Sequence, residues 1–295
     1  MKKRRIKWRA VNSFALIIVF LVIVSISVIS IIKWNIDSNK SNNETDELQE
    51  LTNIETVEDS ENTEVIENDV PKENPYWDYI KMNLIDVDFK NLKEINPDTV
   101  GWFQVNGTSI NYPFVQTTNN EYYLNYSFKK NKNDAGWVFM DYRNSKNTLD
   151  RNTILYAHGR RDNTMFGTLK NILSSKWINN TDNYVVKLST ETENTLWQVF
   201  SIYNIPETSD YLQINFNDED FIEFADMLIK RSDYNFNTTL NENDKILTLS
   251  TCYNMTNRVV LHAKLIKIEK KWENFLIFLI PKMTKSRHFF VTLIF

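Results

Sequence analysis

The only cysteine of the 295-residue chain, Cys252, closes the run Lys245-Ile-Leu-Thr-Leu-Ser-Thr-Cys252, and Arg258 follows six residues later at the start of another apolar run. This spacing puts one thiol at the end of a buried strand, with a permanent cation opening the next. A thiol in that setting can be held as a nucleophilic thiolate, whereas a structural cysteine gains nothing from the arginine. The competing reading makes Cys252 a small buried hydrophobe. Export would count against that reading, because an unpaired thiol outside the cell is exposed to oxidation and no disulfide requires it.

A thiolate nucleophile needs a proton partner and a group that stabilises the oxyanion formed on its target. Three histidines are available. His158 directly follows the apolar strand Thr153-Ile-Leu-Tyr-Ala157 and precedes Gly159, at a strand end opening into a loop, where functional side chains concentrate. His262 lies inside a strand and shares parity with Arg258, but four residues of strand separate the two by roughly 13 Å. His288 falls in a C-terminal tail. Local pattern leaves His158 and His262 both open, with a structural role for the other. No Cys/His cluster points to zinc or another metal, and no Gly-rich phosphate loop follows any strand, so neither a metal nor another cofactor is expected.

The elements that must position these residues are mostly strands. They are expected at 100–105, 108–110, 136–140, 152–157, 184–188, 196–203, 246–249 and 258–265, with Asn106-Gly107 as a hairpin turn between the first two. A first helix is expected around Trp77, Ile80 and Leu84, and a short second one over 88–95, ending before Pro97. One clear amphipathic helix spans 217–231. Asn217 can cap it, Asp218, Glu219 and Asp220 favour its positive end, and Phe221, Phe224, Ala225, Leu228 and Ile229 line one face. Many short strands with few helices point to a mostly antiparallel barrel or sandwich.

Ahead of this domain the composition changes twice. Six of the first nine residues are basic, and no charged residue occurs from Ala10 to Ile32. A helix over 11–32 rises roughly 33 Å, enough to cross a bilayer. The basic cluster before the span predicts a cytoplasmic N-terminus. A cleavable signal peptide would have a shorter apolar stretch ending in small residues, so an uncleaved anchor is expected. Residues 33–70 are expected to be an acidic disordered spacer: from 35 on they hold twelve acidic residues, one lysine and no aromatic residue. Such a segment buries too little apolar surface to offset its ordering entropy. A helical stalk carried by Leu48, Leu51, Ile54 and Val57 is the weaker alternative. The net charge of −4 is accounted for by the N-terminal tail and the spacer. The globular part, 71–271, is therefore near neutral and offers no electrostatic case for nucleic acid. Residues 272–295 form an atypical tail of short apolar runs split by Pro281 and a basic patch, too short to span a membrane.

Thr248-Leu-Ser-Thr-Cys252 with Arg258, and Tyr156-Ala-His158-Gly upstream, resemble the active-site segments of the sortases, membrane-anchored cysteine transpeptidases of Gram-positive bacteria. Class B is the nearest match: Asp98-Thr-Val-Gly-Trp-Phe-Gln-Val-Asn-Gly107, Ile110-Asn-Tyr-Pro-Phe-Val-Gln116, Asn120-Glu-Tyr-Tyr-Leu124, Phe139-Met-Asp-Tyr-Arg143 and Met165-Phe-Gly-Thr-Leu169 resemble it in order and spacing. The resemblance implies an eight-stranded sortase β-barrel with N-terminal helices and a helix before the cysteine strand. It implies that Cys252 attacks a threonine carbonyl in the C-terminal sorting signal of a surface protein, and that His158 serves as acid and then base. Arg258 would hold the oxyanion or the substrate backbone, and a peptidoglycan precursor would supply the acceptor amine. Asn120, Leu124, Tyr156 and Ser250 would line the peptide groove. The same resemblance demotes His262.

The six-residue step from Cys252 to Arg258 is short for class B and implies a tight connection beside the nucleophile. Three other functions compete: a thiol hydrolase on the same site, a pilin-type polymerase using a lysine amine, and a membrane-tethered wall-binding scaffold with an inert cysteine. With the anchor in place, the expected location is the cell membrane, single-pass, with the catalytic domain outside.

Overall fold

The computed structural model describes residues 8–66, 71–252 and 256–271, with backbone alone for 8–12 and Cys252. His288 and the tail from Trp272 onward lie outside the described residues. The described residues open with one helix, α1 (Trp8–Leu51). Its apolar stretch from Phe14 to Ile32 is exposed throughout and long enough to cross a membrane. No glycine or proline interrupts it, so nothing ends the helix where the apolar residues give way to polar ones.

The spacer expectation is corrected here. α1 runs through the acidic stretch to Leu51 and lays one face on the domain. Asp37, Ser38, Ser41, Glu44, Leu48 and Thr52 recur at helical spacing and are all buried. Their partners lie far away in sequence: the Glu44 carboxylate accepts from the Lys129 backbone N–H at 2.7 Å, and Lys129 Nζ pairs with Glu47 at 2.5 Å. The acidic residues read as solvated because composition does not show donors contributed from elsewhere in the chain. Two short strands follow, β1 (Ile54–Val57) and β2 (Thr63–Val65), so this stretch is part of the globular unit.

The next elements are α2 (Tyr76–Tyr79), β3 (Leu84–Val87) and α3 (Lys90–Ile95). Leu84 belongs to a strand rather than to the first helix, because β3 pairs antiparallel with β1. Then come β4 (Thr99–Val105), β5 (Asn111–Val115), β6 (Phe139–Met140) and β7 (Asn152–Ala157). Gly107 takes the left-handed φ of +71° that the Asn-Gly turn demands. The second strand starts at Asn111 rather than Thr108, because the Thr108 hydroxyl donates to the Val105 carbonyl and accepts from the Ile110 N–H, extending the turn. A one-turn helix α4 (Ser175–Ile178) leads to β8 (Val185–Thr190) and β9 (Glu193–Pro206). The described residues finish with α5 (Asp218–Arg231), β10 (Ile246–Cys252) and β11 (Asn257–Lys270).

Eight of these strands close a barrel, in the order β10-β7-β6-β5-β4-β8-β9-β11 and back to β10, while β2 pairs along β11. β10 runs parallel to β7 and antiparallel to β11. Alternate residues fill the barrel, among them Phe103, Phe114, Leu155, Trp197, Leu247, Leu249 and Leu261. The opposite face of β9, β10 and β11 presents Phe200, Tyr203, Ile246 and Val260, and α5 covers it with Phe221, Phe224 and Leu228. Each such fully buried side chain contributes roughly 1.5–3 kcal/mol. The α5 N-terminus is fixed by Asn217, whose side-chain oxygen accepts from the Asp220 N–H at 2.8 Å.

Candidate active site

Cys252 ends β10, and its Cα partner across the antiparallel ladder is Arg258, near the start of β11. Residues six apart in sequence thus have their backbones opposite each other across the ladder. On the other side, β10 pairs in parallel with β7 as far as Thr251 and Ala157. One residue further along that register stands His158. The three residues thus come from adjacent positions at one rim of the barrel, although 94 residues separate Thr251 from Ala157 in sequence.

His158 is half-buried, and its Nε2 lies 2.8 Å from the Leu124 carbonyl oxygen. A carbonyl only accepts, so Nε2 carries the proton, which in the neutral ring leaves Nδ1 as the basic nitrogen. Leu124 is itself held in place. Tyr123 O accepts from the Trp137 N–H at 2.8 Å, and Gly136, at φ +63°, packs so closely that a Cβ there would lie 2.5 Å from Tyr123 O and 3.0 Å from Leu124 O.

Arg258 is largely buried and forms an ion pair with Glu207 at 2.7 Å, from the segment after β9. Together these elements bound a groove of about 280 Å³. Asn120, Leu124 and Phe139, the strand-end residues Tyr156, Ala157, His158, Ser250 and Thr251, and Arg258 with Glu207, Thr208, Tyr211 and Leu212 line it. All four residues expected from the sequence to line a peptide groove are on it, beside His158 and Arg258.

Their polar atoms are already engaged. Asn120 donates to Asp141 at 3.1 Å and accepts from the Tyr142 N–H at 2.9 Å. The Tyr156 hydroxyl donates to Asp141 at 2.9 Å. The Ser250 and Tyr211 hydroxyls share a hydrogen bond of 2.9 Å. These side chains therefore shape the groove through each other. Asp141 is the hub: burial pushes its carboxyl up, but hydrogen bonds from Arg143 and Tyr156 outweigh that and hold it below the usual carboxylate range. Burial and the Asp141 charge push the Tyr156 phenol up, so it stays protonated and donating.

His262 sits elsewhere. It is fully buried under α5, with Nε2 2.7 Å from the Tyr203 hydroxyl and Nδ1 2.8 Å from the Thr248 hydroxyl. Burial, helped by the Arg231 charge, lowers its pKa to about 3. Sequence reasoning missed Glu207 and Tyr211 as groove groups, and the Asp141–Arg143 pair that holds Asn120 and Tyr156 in it. The Asp-x-Arg spacing after β6 was a readable signal for the last of these. Glu207 and Tyr211 reach the site only through the barrel's closure.

A model of the sortase domain matches residues 103–266, more than half of the chain. The chain is 37% identical over 185 residues to the sortase B of Staphylococcus aureus, covering 61% of this chain and 75% of that protein. It is 32% identical over 186 residues to the sortase B of Listeria monocytogenes, covering 61% and 74%. The crystal structure of sortase B from B. anthracis in complex with AAEK1 superposes with a TM-score of 0.62 at 33% identity, over 79% of this chain and 99% of that one. With the closed eight-stranded barrel, these matches define a cysteine transpeptidase of the sortase type. The chain belongs to the sortase family, and its relatives there are of class B. Sortases act on surface proteins bearing sorting signals and on amine acceptors of the cell wall.

Proposed function

We propose that this enzyme cleaves a C-terminal sorting signal after threonine and joins the new carboxyl end to a peptidoglycan amine. In this reading the Cys252 thiolate attacks the threonine carbonyl carbon. The tetrahedral oxyanion is held by the Arg258 guanidinium, which first exchanges its Glu207 partner. The C–N bond breaks as His158, an imidazolium after taking the Cys252 thiol proton on Nδ1, gives that proton to the departing amine, leaving a thioester. An acceptor amine then attacks the thioester, His158 takes up its proton, and Cys252 leaves as the thiolate. The observation that carries the reading is the backbone register: it sets His158 and Arg258 on either side of Cys252, beside one groove. The apolar half of α1 and the basic residues before it support an anchor with a cytoplasmic N-terminus and the barrel outside.

A panel of fluorogenic peptides with Asn-Pro-x-Thr or Pro-x-Thr-Gly cores, with and without an added amine, tests this. Cleavage accelerated by amine and yielding the amide product is expected. Cys252→Ala and His158→Ala should each abolish turnover, and Arg258→Ala should lower it by at least about 10²-fold. Cleavage to the free acid at the same rate with amine present would make the enzyme a hydrolase.

A further inference from the structure

Two segments fix His158, and α1 grips both. The first is the loop after His158. The His158 carbonyl accepts from the Arg160 and Phe166 N–H groups, each at 3.1 Å, so the loop closes back on the histidine. Within the loop Asn163 and Met165 hold left-handed φ values of +65° and +53°, unfavourable for residues with a Cβ, so outside contacts must hold the shape. One comes from β5, where the Tyr112 hydroxyl accepts from the Met165 N–H at 3.1 Å; the others come from α1. Arg160 donates to the Ser38 hydroxyl at 2.6 Å and pairs with Asp162 at 2.9 Å; Ser38 also hydrogen-bonds Asp162, and the guanidinium lies 5.3 Å from the Trp34 ring centroid.

The second segment runs from Leu124, the hydrogen-bond partner of His158 Nε2, to Gly136. Within it Asn133 is buried; its N–H donates to the Asn125 carbonyl, and its own carbonyl accepts from the Gly136 N–H. The Asn133 side chain in turn donates to the Asp37 carbonyl at 3.2 Å and to the Ser41 hydroxyl at 3.1 Å. One turn earlier, Lys33 of α1 pairs with Asp134.

We infer that the part of α1 beyond the membrane span is a positioning element of the active site, with Ser38 and Trp34 setting the His158 backbone and Ser41 setting the carbonyl that orients its ring. The inference deepens the proposed function and rests on His158 as the proton carrier. It makes the anchor helix more than a tether, because the face that follows the membrane-spanning stretch carries both routes to the histidine. Ser38 and Ser41 are three residues apart, so a single helical face delivers them together.

The test uses the full chain in lipid nanodiscs, with ¹⁵N-histidine labelling. Ser38→Ala/Ser41→Ala removes one hydroxyl from each route, and Trp34→Leu with Trp34→Phe as its conservative partner tests the aromatic contact. Gln49→Ala is the control, since it breaks an α1 contact, to the Asn111 carbonyl at 2.9 Å, made outside both segments. Expected are a kcat at least about tenfold lower for the double variant with KM little changed, since a misplaced proton carrier costs rate rather than binding. The His158 ring resonances should move while those of His262 stay. Trp34→Phe should retain most of the activity that Trp34→Leu loses, and Gln49→Ala should match the parent enzyme.

Unchanged His158 resonances and unchanged kcat in the folded double variant would overturn the inference. An equal loss in Gln49→Ala would do so as well, because it would mean that general loosening of the helix is responsible. A parent enzyme inactive on every peptide would instead count against the proposed function, and the ring resonances would still decide the positioning role.

Discussion

Two histidines of one barrel, His158 just past the end of β7 and His262 within β11, have opposite surroundings, and the difference is one of cover. His158 stands at a rim, half in the groove. His262, at the same parity as Arg258 further along β11, lies under α5, where Tyr203 and Thr248 take both ring nitrogens. Sequence pattern left the two open because a strand's parity gives its face but not what packs on that face. The burial has a measurable consequence. Folded His262 titrates near 3 against an ordinary 6.5, so below pH 6.5 the unfolded chain binds a proton that the folded one refuses. Its contribution is therefore complete above 6.5 and is lost as pH falls towards 3, at about 1.4 kcal/mol per pH unit. Urea unfolding at pH 7.5, 6.0 and 5.0 should show the parent losing stability over that window, with a flatter dependence in His262→Gln. Parallel pH dependences in the two proteins would refute the assignment.

The elements divide by how much of their stability is local. Strands such as β4, β7, β8 and β10 were legible because alternation or an apolar run marks a face that must be buried, and α5 because its cap, first-turn acids and apolar stripe agree. β1, β2 and β3 were not, since each is three or four residues long and two of them carry acidic residues at solvent-facing positions. The Leu124–Gly136 segment is a third kind, fixed by backbone geometry. Gly136→Ala would combine a left-handed φ, costing roughly 1–2 kcal/mol, with a Cβ driven into the Tyr123 and Leu124 carbonyls. Gly107→Ala incurs a similar backbone cost, but its Cβ meets the Asn183 side chain, away from the groove. Both variants should unfold at lower temperature. Only Gly136→Ala should also lower kcat, by about tenfold or more, because only there does the displaced carbonyl orient His158. Equal kcat values for the two would detach the Leu124 hydrogen bond from catalysis.

At the scale of the whole molecule, the apolar N-terminal helix, a candidate membrane anchor, and the barrel are one continuous object. That was the part least legible in the sequence, where apolar residues end at Ile32 and acidic ones begin. A polar helix face reads as solvated unless its partners are known, and those partners, Asn133, Lys129, Arg160 and Asp162, come from loops on the far side of the domain sequence. Burial would raise the Asp162 carboxyl, but hydrogen bonds led by Arg160 and Ser38 hold it down to about 2, so removing α1 leaves a charged, partly desolvated cluster short of a partner. Two truncations separate tether from structure. Removing residues 1–32 deletes the exposed apolar stretch and leaves every contact from Lys33 onward, so the melting temperature of the soluble remainder should be close to that of the full chain. Removing residues 1–52 uncovers Asn133, Arg160 and the surface under Leu48. Each buried polar group left unsatisfied costs about 1–3 kcal/mol, and each kcal/mol shifts the melting temperature of a domain this size by about 2–4 °C. The longer truncation should therefore melt at least about 5 °C below the shorter one. Coincident melting curves would mean that the docked half of α1 adds nothing to the barrel's stability, and that the helix only carries the domain.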